Sequence, residues 1–387
     1  MKKTYLYSAR RTPLGSFMGA LSTVPAPQLG ATAAKAALES SGIQASEIDE
    51  AIVGTVLPAG QGQAPARQVA IFSGLPTSTR ALTINKVCGS GLKAISLASD
   101  RIELGYAKAV LAGGIENMSL APYYLKTARS GFRMGNQEAT DGLITDGLWD
   151  VYNQFHMGTA AELCVKEYKF TREQQDSFAA DSYKKAMRAI ESGLFKKEIA
   201  PVEIKGKKES TFVEVDEEPG RGKIENFSKL RPAFDSQGTI TAANASSIND
   251  GAAMLIVGSD ELMKTAKPIA KVLHAAEFAQ KPEWFTTAPV GCIKKLLQEA
   301  SLKVSDIDVF EINEAFSVVA MAALKDLEIP EAKLNPKGGA VALGHPIGAS
   351  GARLLTTLLH TLAPKQKGVV SLCIGGGEAI ALLVEKM

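Results

Sequence analysis

One pattern occurs twice in this chain, as ALESSGIQASEIDEAIVG at residues 37–54 and as LQEASLKVSDIDVFEI at residues 297–312. In each copy a helical pattern ends before a turn containing Ser, Ile and Asp, and a short apolar run follows. Two further matches come later in the same order and at nearly the same offset: Ser90–Lys93 with Ser350–Arg353, and Ala109–Gly114 with Val369–Gly376. Three matches in register predict an internal duplication.

Both copies alternate short apolar runs with amphipathic stretches, which is typical of parallel strands joined by crossover helices. The helix predicted at 27–41 ends before Gly42, a residue type favoured just past a helix end. A second helix, predicted at 171–192, opens on the capping pattern Thr-Arg-Glu-Gln. We predict an α/β fold of two duplicated halves and an inserted loop domain. The N-terminal half covers residues 1–118 and 245–268, the insertion 119–244, and the C-terminal half 269–387.

Composition excludes several classes of protein. The 387 residues are 45% apolar and 22% charged, which suits two or three packed units rather than a disordered chain. A net charge of +2 without clustered basic stretches argues against a nucleic-acid partner. No apolar run approaches the roughly 18–20 residues that span a bilayer, and no signal peptide is indicated. The four cysteines lie far apart, so we expect free thiols and a cytoplasmic location.

Cys88 stands where an apolar stretch gives way to a helical one, in NKVCGSGLK at residues 85–93. The positive end of the helix dipole is expected to favour the thiolate and to lower the pKa of Cys88. The flanking glycines allow a substrate to approach and leave backbone amides free to hold an oxyanion. Cys88 is therefore the candidate nucleophile, and a small buried core cysteine is the alternative reading.

His345 lies in GHPIGASG at residues 344–351, at the turn that corresponds to Cys88 in the other copy. Pro346 biases His345 towards an extended backbone. Histidine is the usual base for activating a thiol near neutral pH. The duplication would place the two turns about one central cleft, whereas we expect ordinary surface or core roles for His274 and His360.

Two more candidates follow apolar runs in the C-terminal half. Cys373 comes shortly before Gly375–Gly377, and three consecutive glycines after a strand suggest exposed amides beside a ligand. The thiol of Cys373 is either structural or exchanges a proton with a second substrate. Asn313 follows the run at 309–312, where an asparagine often only caps a turn.

Common nucleotide and hydrolase motifs are absent from the sequence. Neither GxGxxG nor GxxxxGK[ST] occurs, which weakens the alternative of a nucleotide-dependent oxidoreductase. HExxH and GxSxG are also absent, so zinc hydrolysis and serine-esterase chemistry have no support. We expect neither a metal ion nor a bound cofactor.

Together these motifs resemble those of the thiolases, most closely the short-chain acetyl-CoA acetyltransferases of biosynthetic type. The resemblance covers essentially the whole chain, from Arg11-Thr12-Pro13 through the Cys88 segment, the run Ala112–Met118 and the insertion to the C-terminal motifs. It implies a thiolase-like fold, with mixed and mostly parallel sheets in α/β/α/β/α layers. It also implies reversible CoA-dependent thiolysis of 3-ketoacyl-CoA, or Claisen condensation of two acetyl-CoA, by a ping-pong mechanism.

The resemblance assigns a role to each candidate. Cys88 would be acylated, His345 would accept its proton, and Cys373 would deprotonate acetyl-CoA or protonate the departing enolate. The enolate oxygen would be held by His345 and a water on Asn313. The thioester oxygen would be held by the backbone amides of Cys88 and Gly375.

The resemblance also implies how coenzyme A, as substrate and product, is bound. The expected contacts are Leu148, His156, Met157, Ala233, Phe234, Ala242 and Ser246, with Ala315 and Phe316 beside the acyl group. A loop of the insertion would join dimers into a homotetramer. The implied setting is fatty acid and lipid metabolism, with no nucleic-acid or membrane partner.

The chain departs from the short-chain pattern at three places. FTTAP at 285–289 replaces MGTGP, Ser247 replaces a glycine, and GEA at 377–379 replaces GMG. The bulky Phe285 is expected to reshape the acyl pocket. A degradative 3-ketoacyl-CoA thiolase of broader chain length is therefore one alternative, and a catalytically silent acyl-CoA-binding protein is another. A decarboxylating enzyme of the ketoacyl-synthase type would place a histidine at Asn313.

Overall fold

The computed structural model describes residues 2–206 and 208–387. Its β-strands are β1 (Thr4–Arg11), β2 (Gly15–Ser16), β3 (Glu50–Gly54), β4 (Arg80–Ile84), β5 (Ala109–Asn117), β6 (Tyr123–Tyr124), β7 (Thr140–Asp141), β8 (Trp149–Asp150), β9 (Phe155–His156), β10 (Val202–Lys205), β11 (Ser210–Val213), β12 (Asn249–Ser259), β13 (Ala270–Ala279), β14 (Val309–Ile312), β15 (Lys367–Ile374) and β16 (Glu378–Lys386). Its α-helices are α1 (Ala26–Ser41), α2 (Pro65–Phe72), α3 (Ser90–Glu103), α4 (Met157–Tyr168), α5 (Arg172–Glu191), α6 (Ala288–Glu299), α7 (Ser317–Leu327), α8 (Ala340–Leu343) and α9 (Ser350–Leu359).

One mixed sheet runs through the molecule, with its strands in the order β4-β3-β5-β12-β1-β13-β16-β15-β14. The two halves meet where β1 and β13 pair antiparallel, with Tyr5 opposite Lys271 and Leu6 opposite Ala270. Outward from this contact, the order is β12, β5, β3 and β4 on one side and β16, β15 and β14 on the other. The strands with duplicated sequence patterns take equivalent places, β3 with β14 and β5 with β15, as the duplication predicts.

Parallel pairing is confined to the outer strands of each half. It joins β3 to both β4 and β5, and β14 to β15. The inner ladders are antiparallel. Between β15 and β16 the reason is simple, because a three-residue connection is too short for a parallel crossover. The sheet is mixed as predicted, and the expected parallel pairing is found at its outer strands rather than throughout.

Helices α3 and α9 lie between the two halves of the sheet. Each contacts strands of both halves: α3 packs on β5 and β16, and α9 packs on β12 and β15. Their apolar side chains share one buried cluster with strand residues of both halves. Helices α1 and α2 cover the outer face of the N-terminal half, and α6 and α7 cover that of the C-terminal half. The predicted five layers are therefore confirmed.

The predicted helix ends agree with the structure. Helix α1 ends at Ser41, and Gly42 follows in the left-handed conformation with φ of 72°. Helix α5 begins after Thr171, whose side chain accepts a hydrogen bond from the N–H of Gln174, and Gln174 bonds back to the Thr171 N–H. Within the described residues, none of the helices is long and apolar enough to cross a membrane.

Glycines set the distance between the two halves. A Cβ on Gly351, in the first turn of α9, would lie 2.6 Å from the backbone nitrogen of Leu92 in α3. A Cβ on Gly114, in β5, would lie 2.1 Å from the carbonyl oxygen of Gly348. Close-packed backbone cannot accept such contacts, so only glycine lets the halves touch at these points. The turns that precede α3 and α9 are thereby brought together.

A buried ion pair ties the insertion to the sheet. Arg11, at the end of β1, is fully buried and bonds Glu198 through Nε at 2.6 Å. Its Nη1 and Nη2 bond the carboxylate of Asp216 at 2.6 and 2.8 Å. Removing one partner of such a buried pair leaves a charge without compensation, which typically costs about 3–5 kcal/mol. Arg11 therefore holds two insertion segments against the N-terminal half.

We expect Gly114→Ala to lower the free energy of unfolding by about 3 kcal/mol, because the added methyl group meets backbone atoms that cannot move independently. Gly220→Ala is the matched control, since its Cβ would meet no atom within 4 Å. It should change the free energy of unfolding by less than about 0.5 kcal/mol. Urea denaturation followed by circular dichroism makes the comparison, and equal stability of the two variants would contradict the role of Gly114.

Candidate functional site

Cys88 lies in the turn between β4 and α3. Its neighbour Val87 has a left-handed backbone with φ of 46°, which is strained for a β-branched residue. Asn85 Oδ1 accepts a hydrogen bond from the Val87 N–H, and Ser90 Oγ accepts one from the Lys86 N–H, both at 2.8 Å. These bonds hold the turn in the conformation that places Cys88 in the wall of a cavity.

His345 lies in the loop between α8 and α9 and is only 5% exposed. Its Nδ1 is 2.6 Å from Ser350 Oγ, and the Ser350 hydroxyl donates to the carbonyl of Pro346 at 2.9 Å. Because a hydroxyl carries one proton, Ser350 Oγ accepts a hydrogen bond from Nδ1–H. Nε2 then lacks a proton and accepts from Asn313 Nδ2 at 3.3 Å. The ring is held in the tautomer whose Nε2 can take up a proton.

Asn313 directly follows β14, Cys373 lies near the end of the neighbouring strand β15, and both are buried. Among the described residues, Asn313 Oδ1 has no hydrogen-bond partner, so it is an available acceptor. Burial, and secondarily the nearby Cys88, raises the pKa of the Cys373 thiol well above its ordinary value. The turn after Cys373 brings Gly375 to Cys88. The backbone amides of Gly375 and of Cys88 itself lie close enough to the Cys88 sulfur to lower its pKa.

The environment keeps both Cys88 and His345 neutral at rest. Burial raises the pKa of Cys88 to about 11, although the backbone amides of Gly375 and Cys88 lower it, and the charge of Glu116 adds to the rise. Burial, together with the charge of Arg353, lowers the pKa of His345 to about 3. The prediction that the helix N-terminus lowers the pKa of Cys88 is therefore wrong, because loss of solvation outweighs the helix dipole.

One cavity of about 370 Å³ collects most of the candidate residues. Cys88, His345 and Gly375 line it. Each residue expected to contact coenzyme A or the acyl group also lines it: Leu148, His156, Met157, Ala233, Phe234, Ala242, Ser246, Ala315 and Phe316. Asn313 and Cys373 do not line this cavity. They lie behind its wall, Asn313 bonded to His345 and Cys373 within reach of the Cys88 charge.

An aromatic wall bounds the cavity. The rings of His156 and Phe234 stack with centroids 4.7 Å apart. Phe316 meets Phe234 edge-on at 6.0 Å and Phe285 edge-on at 6.2 Å. Phe285 is nearly fully buried, so it closes this wall with its ring. The wall offers flat apolar surface to an acyl chain or a pantetheine arm.

Three functional residues escaped the sequence reasoning. The sequence places Ser350 only in the repeated segment 350–353, but its position five residues after His345 puts its hydroxyl within reach of the ring. Ser247, noted as a departure, donates to Asn249 Oδ1 at 2.8 Å, and that oxygen also accepts from the His345 N–H at 3.0 Å. Glu116 was quoted only as part of a motif, yet it bonds the His345 loop.

The described residues offer no group of three or more His, Cys, Asp or Glu side chains that could hold a metal ion. All four cysteines are free thiols. The cavity is lined by the Cys88 thiol, the His345 imidazole and the backbone of Gly375.

Two family models match nearly the whole chain. The family model for the thiolase N-terminal domain matches residues 4–261, and that for the C-terminal domain matches residues 266–386. A probable acetyl-CoA acyltransferase of Staphylococcus aureus is 49% identical over 391 residues, covering all of both chains.

Two solved structures share the fold over the full chain. The Acat5 thiolase of Ascaris suum, in complex with coenzyme A, superposes with a TM-score of 0.96 at 45% identity, covering all of both chains. An acetyl-CoA acetyltransferase of Bacillus anthracis superposes with a TM-score of 0.97 at 36% identity, covering 100% of this chain and 99% of the other. The duplicated fold, the two matching domain models and the full-length relatives show that this chain belongs to the thiolase family of acyltransferases.

Proposed function

We propose that this thiolase is a short-chain acetyl-CoA C-acetyltransferase, which cleaves acetoacetyl-CoA with CoA and condenses two acetyl-CoA in the reverse direction. One observation carries the proposal: Cys88, His345 and Gly375, from separate turns of the two halves, line a single cavity whose wall is aromatic. The bound coenzyme A of the Ascaris suum thiolase supports CoA as the substrate of this cavity.

In the first half-reaction, the Cys88 sulfur attacks the C3 carbonyl carbon of acetoacetyl-CoA while its proton passes to His345 Nε2. The bond between C2 and C3 then breaks. Cys88 keeps the acetyl group as a thioester, and the acetyl-CoA enolate takes a proton from Cys373. The amides of Cys88 and Gly375, which already face the sulfur, would hold the thioester oxygen. His345 and Asn313 would hold the enolate oxygen, directly or through water.

In the second half-reaction, the thiol of free CoA attacks the acetyl-Cys88 carbonyl and gives its proton to the Cys373 thiolate that the first half-reaction left. Acetyl-CoA leaves, and the Cys88 thiol is restored by a proton returned through His345. The enzyme thus alternates between free and acylated forms, which is a ping-pong mechanism. The neutral resting pair suits this cycle, because a proton moves only when a substrate is attacked.

Phe285 supports the short-chain assignment. Its ring is 3% exposed and packs against Phe316, so it fills space that a longer acyl chain would need. The alternative is a degradative thiolase of broader chain length, in which Phe285 would turn aside for longer chains. A catalytically silent acyl-CoA-binding protein is the remaining alternative, and the intact set of Cys88, His345 and Cys373 disfavours it.

We also propose that the chain is a homotetramer, a dimer of dimers, joined through the insertion. Apolar side chains at its start are exposed, as expected of an interaction surface: Leu120, Tyr123, Leu125, Phe132 and Met134. The same insertion, residues 119–244, supplies six of the expected CoA contacts to the cavity, which supports its assignment as the CoA-binding loop domain. The enzyme would act in lipid metabolism in the cytoplasm, where free thiols persist.

Wild-type protein should cleave acetoacetyl-CoA with a kcat/KM at least about tenfold above that for a 3-ketoacyl-CoA of sixteen carbons, because the pocket bounded by Phe285 rejects extra methylenes. CoA-dependent loss of 3-ketoacyl-CoA absorbance measures both. Phe285→Leu should shift the ratio towards the long substrate. Phe278→Leu, which alters a ring packed on Gly291 outside the cavity, should leave it unchanged. A long-chain preference of the wild type would move it to the degradative class.

Cys88→Ala should abolish turnover, by at least about 10⁴-fold, because no other group can accept the acyl chain. Cys292→Ala is the control: this thiol is buried among the residues that α6 packs on the sheet, outside the cavity. It should keep kcat within about threefold of the wild type. Circular dichroism verifies the fold of both variants, and turnover retained by Cys88→Ala would reject the nucleophile assignment.

Alkylation of Cys88 by iodoacetamide should quicken about tenfold for each pH unit between 7 and 9. The pKa of Cys88 is raised to about 11, so the thiolate fraction rises through this range without reaching a plateau. His345, with a pKa of about 3, stays neutral throughout this range, so its titration does not change the alkylation rate. Mass spectrometry of the modified peptide gives the rate. A plateau reached near pH 7 would instead indicate a thiolate–imidazolium pair at rest.

A further inference from the structure

Glu116 carries a buried carboxylate that the proposed mechanism does not use. It lies near the end of β5 and is 0% exposed. Within the described part of the chain, no basic side chain forms an ion pair with it. A buried charge without a counterion is costly unless hydrogen bonds replace the lost water. The free-energy cost of burying this carboxylate suggests that Glu116 has a functional role.

Four hydrogen bonds surround this carboxylate, and they come from both halves of the molecule. Oε1 accepts from Thr55 Oγ1 at 3.0 Å and from the Leu57 N–H at 3.2 Å. Oε2 accepts from the Val56 N–H at 3.0 Å and from the Gly348 N–H at 2.8 Å. Thr55, Val56 and Leu57 follow β3 in the N-terminal half, whereas Gly348 belongs to the His345 loop.

The contact with Gly348 fixes the position of the His345 loop. A Cβ on Gly348 would lie 2.6 Å from Glu116 Oε2 and 2.8 Å from the Thr55 Cα, so the loop rests directly on the N-terminal half. The loop is itself rigid, because the carbonyl of Pro346 accepts hydrogen bonds from the N–H groups of Ala349 and Ser350 at 2.9 and 3.0 Å. Movement at Gly348 would therefore be passed to His345.

Cys88 packs against the buried cluster that contains Val56 and Leu57, whose N–H groups bond Glu116, so the carboxylate lies close enough for its charge to act on the thiol. Glu116 is the one charged side chain among the causes that set the pKa of Cys88, and it raises that pKa. Besides Glu116, the titratable side chains near Cys88 are Cys373 and those that line the same cavity, which are His156, Glu218 and His345. Burial raises the pKa of Glu116 itself to about 7, so its charge forms between about pH 6 and pH 8. His345 and Cys373 keep their neutral forms over that range.

We propose that Glu116 is a positioning residue of the acyl-transfer reaction: its carboxylate fastens the His345 loop to the half of the molecule that carries Cys88 and places a negative charge beside the resting thiol. The proposal rests on the proposed function for its catalytic consequence. Two elements of the proposal do not depend on that function: the attachment of the His345 loop to the N-terminal half, and the negative charge near Cys88.

Two variants of Glu116 distinguish the effect of its side-chain length from the effect of its charge. Glu116→Gln keeps the size but loses the charge, and its NH2 group, which is a donor only, faces N–H or O–H donors in the place of one carboxylate oxygen. Glu116→Asp keeps the charge but is one methylene shorter, so it cannot bond both halves at once. Glu162→Gln is the matched control. Glu162 is also buried and accepts from the N–H groups of Thr239 and Ile240, both at 2.8 Å, but it lies in the insertion.

The measurements are iodoacetamide alkylation of Cys88 from pH 6 to pH 9, and kcat and KM for acetoacetyl-CoA. Glu116→Gln should alkylate like the wild type at pH 6 and about threefold faster at pH 8.5, where the wild-type charge is present. Both Glu116 variants should lose at least about tenfold in kcat with KM changed less than threefold. Glu116→Asp should keep the wild-type alkylation profile, and so should Glu162→Gln.

The outcomes are distinct. Unchanged kcat in both Glu116 variants, or a kcat loss equal to that of Glu162→Gln at equal loss of thermal stability, overturns the positioning role. An alkylation profile of Glu116→Gln that matches the wild type at all pH values overturns the role of the charge. If Glu116→Gln does not fold, Glu116→Asp alone decides the positioning role through its kcat. A wild type that alkylates normally but does not cleave acetoacetyl-CoA rejects the proposed function instead.

Discussion

Direct backbone contact between the two halves is the constraint on which the site depends. Gly114 meets the carbonyl of Gly348 where no Cβ can fit, and the first turns of α3 and α9 touch in the same way. Side chains at these positions would hold the halves apart by several ångströms. Because Cys88 precedes α3 and His345 precedes α9, close approach of the two helix starts is also close approach of thiol and imidazole. The duplication thus supplies the two turns, and glycine lets them share one cavity.

Burial then decides the protonation of the site. The same packing that brings Cys88 and His345 together removes water from both, which raises the pKa of the thiol and lowers that of the imidazole. A neutral pair is protected from unspecific alkylation and oxidation, since the thiolate is the reactive form. Backbone amides of Cys88 and Gly375 supply polarity without charge, and they need no reorganisation when an oxyanion forms. Ser350 completes the arrangement by assigning the proton on the imidazole to Nδ1.

Much of the fold followed from the sequence. The repeated pattern at 37–54 and 297–312 predicted two equivalent halves, and the strand order repeats accordingly. The capping pattern at Thr171 predicted where α5 begins, because a cap depends on residues within one turn. Of the candidate residues, Cys88, His345 and Gly375 line the cavity, whereas Asn313 and Cys373 lie behind its wall. The pKa of Cys88 could not be predicted in the same way, since the helix dipole is a local effect and desolvation depends on every element that packs around the thiol.

Local pattern alone therefore predicted the helices, the duplication and the thiols, imidazole and glycines for which we propose catalytic roles. Tertiary structure decided the rest: that the His345 Nε2 faces Asn313, that Phe285 closes an aromatic wall, and that Glu116 reaches Gly348 from the other half. The physical reason lies in sequence separation. A turn or cap is set by neighbours along the chain, whereas a hydrogen bond between residues more than two hundred positions apart exists only after both halves have packed.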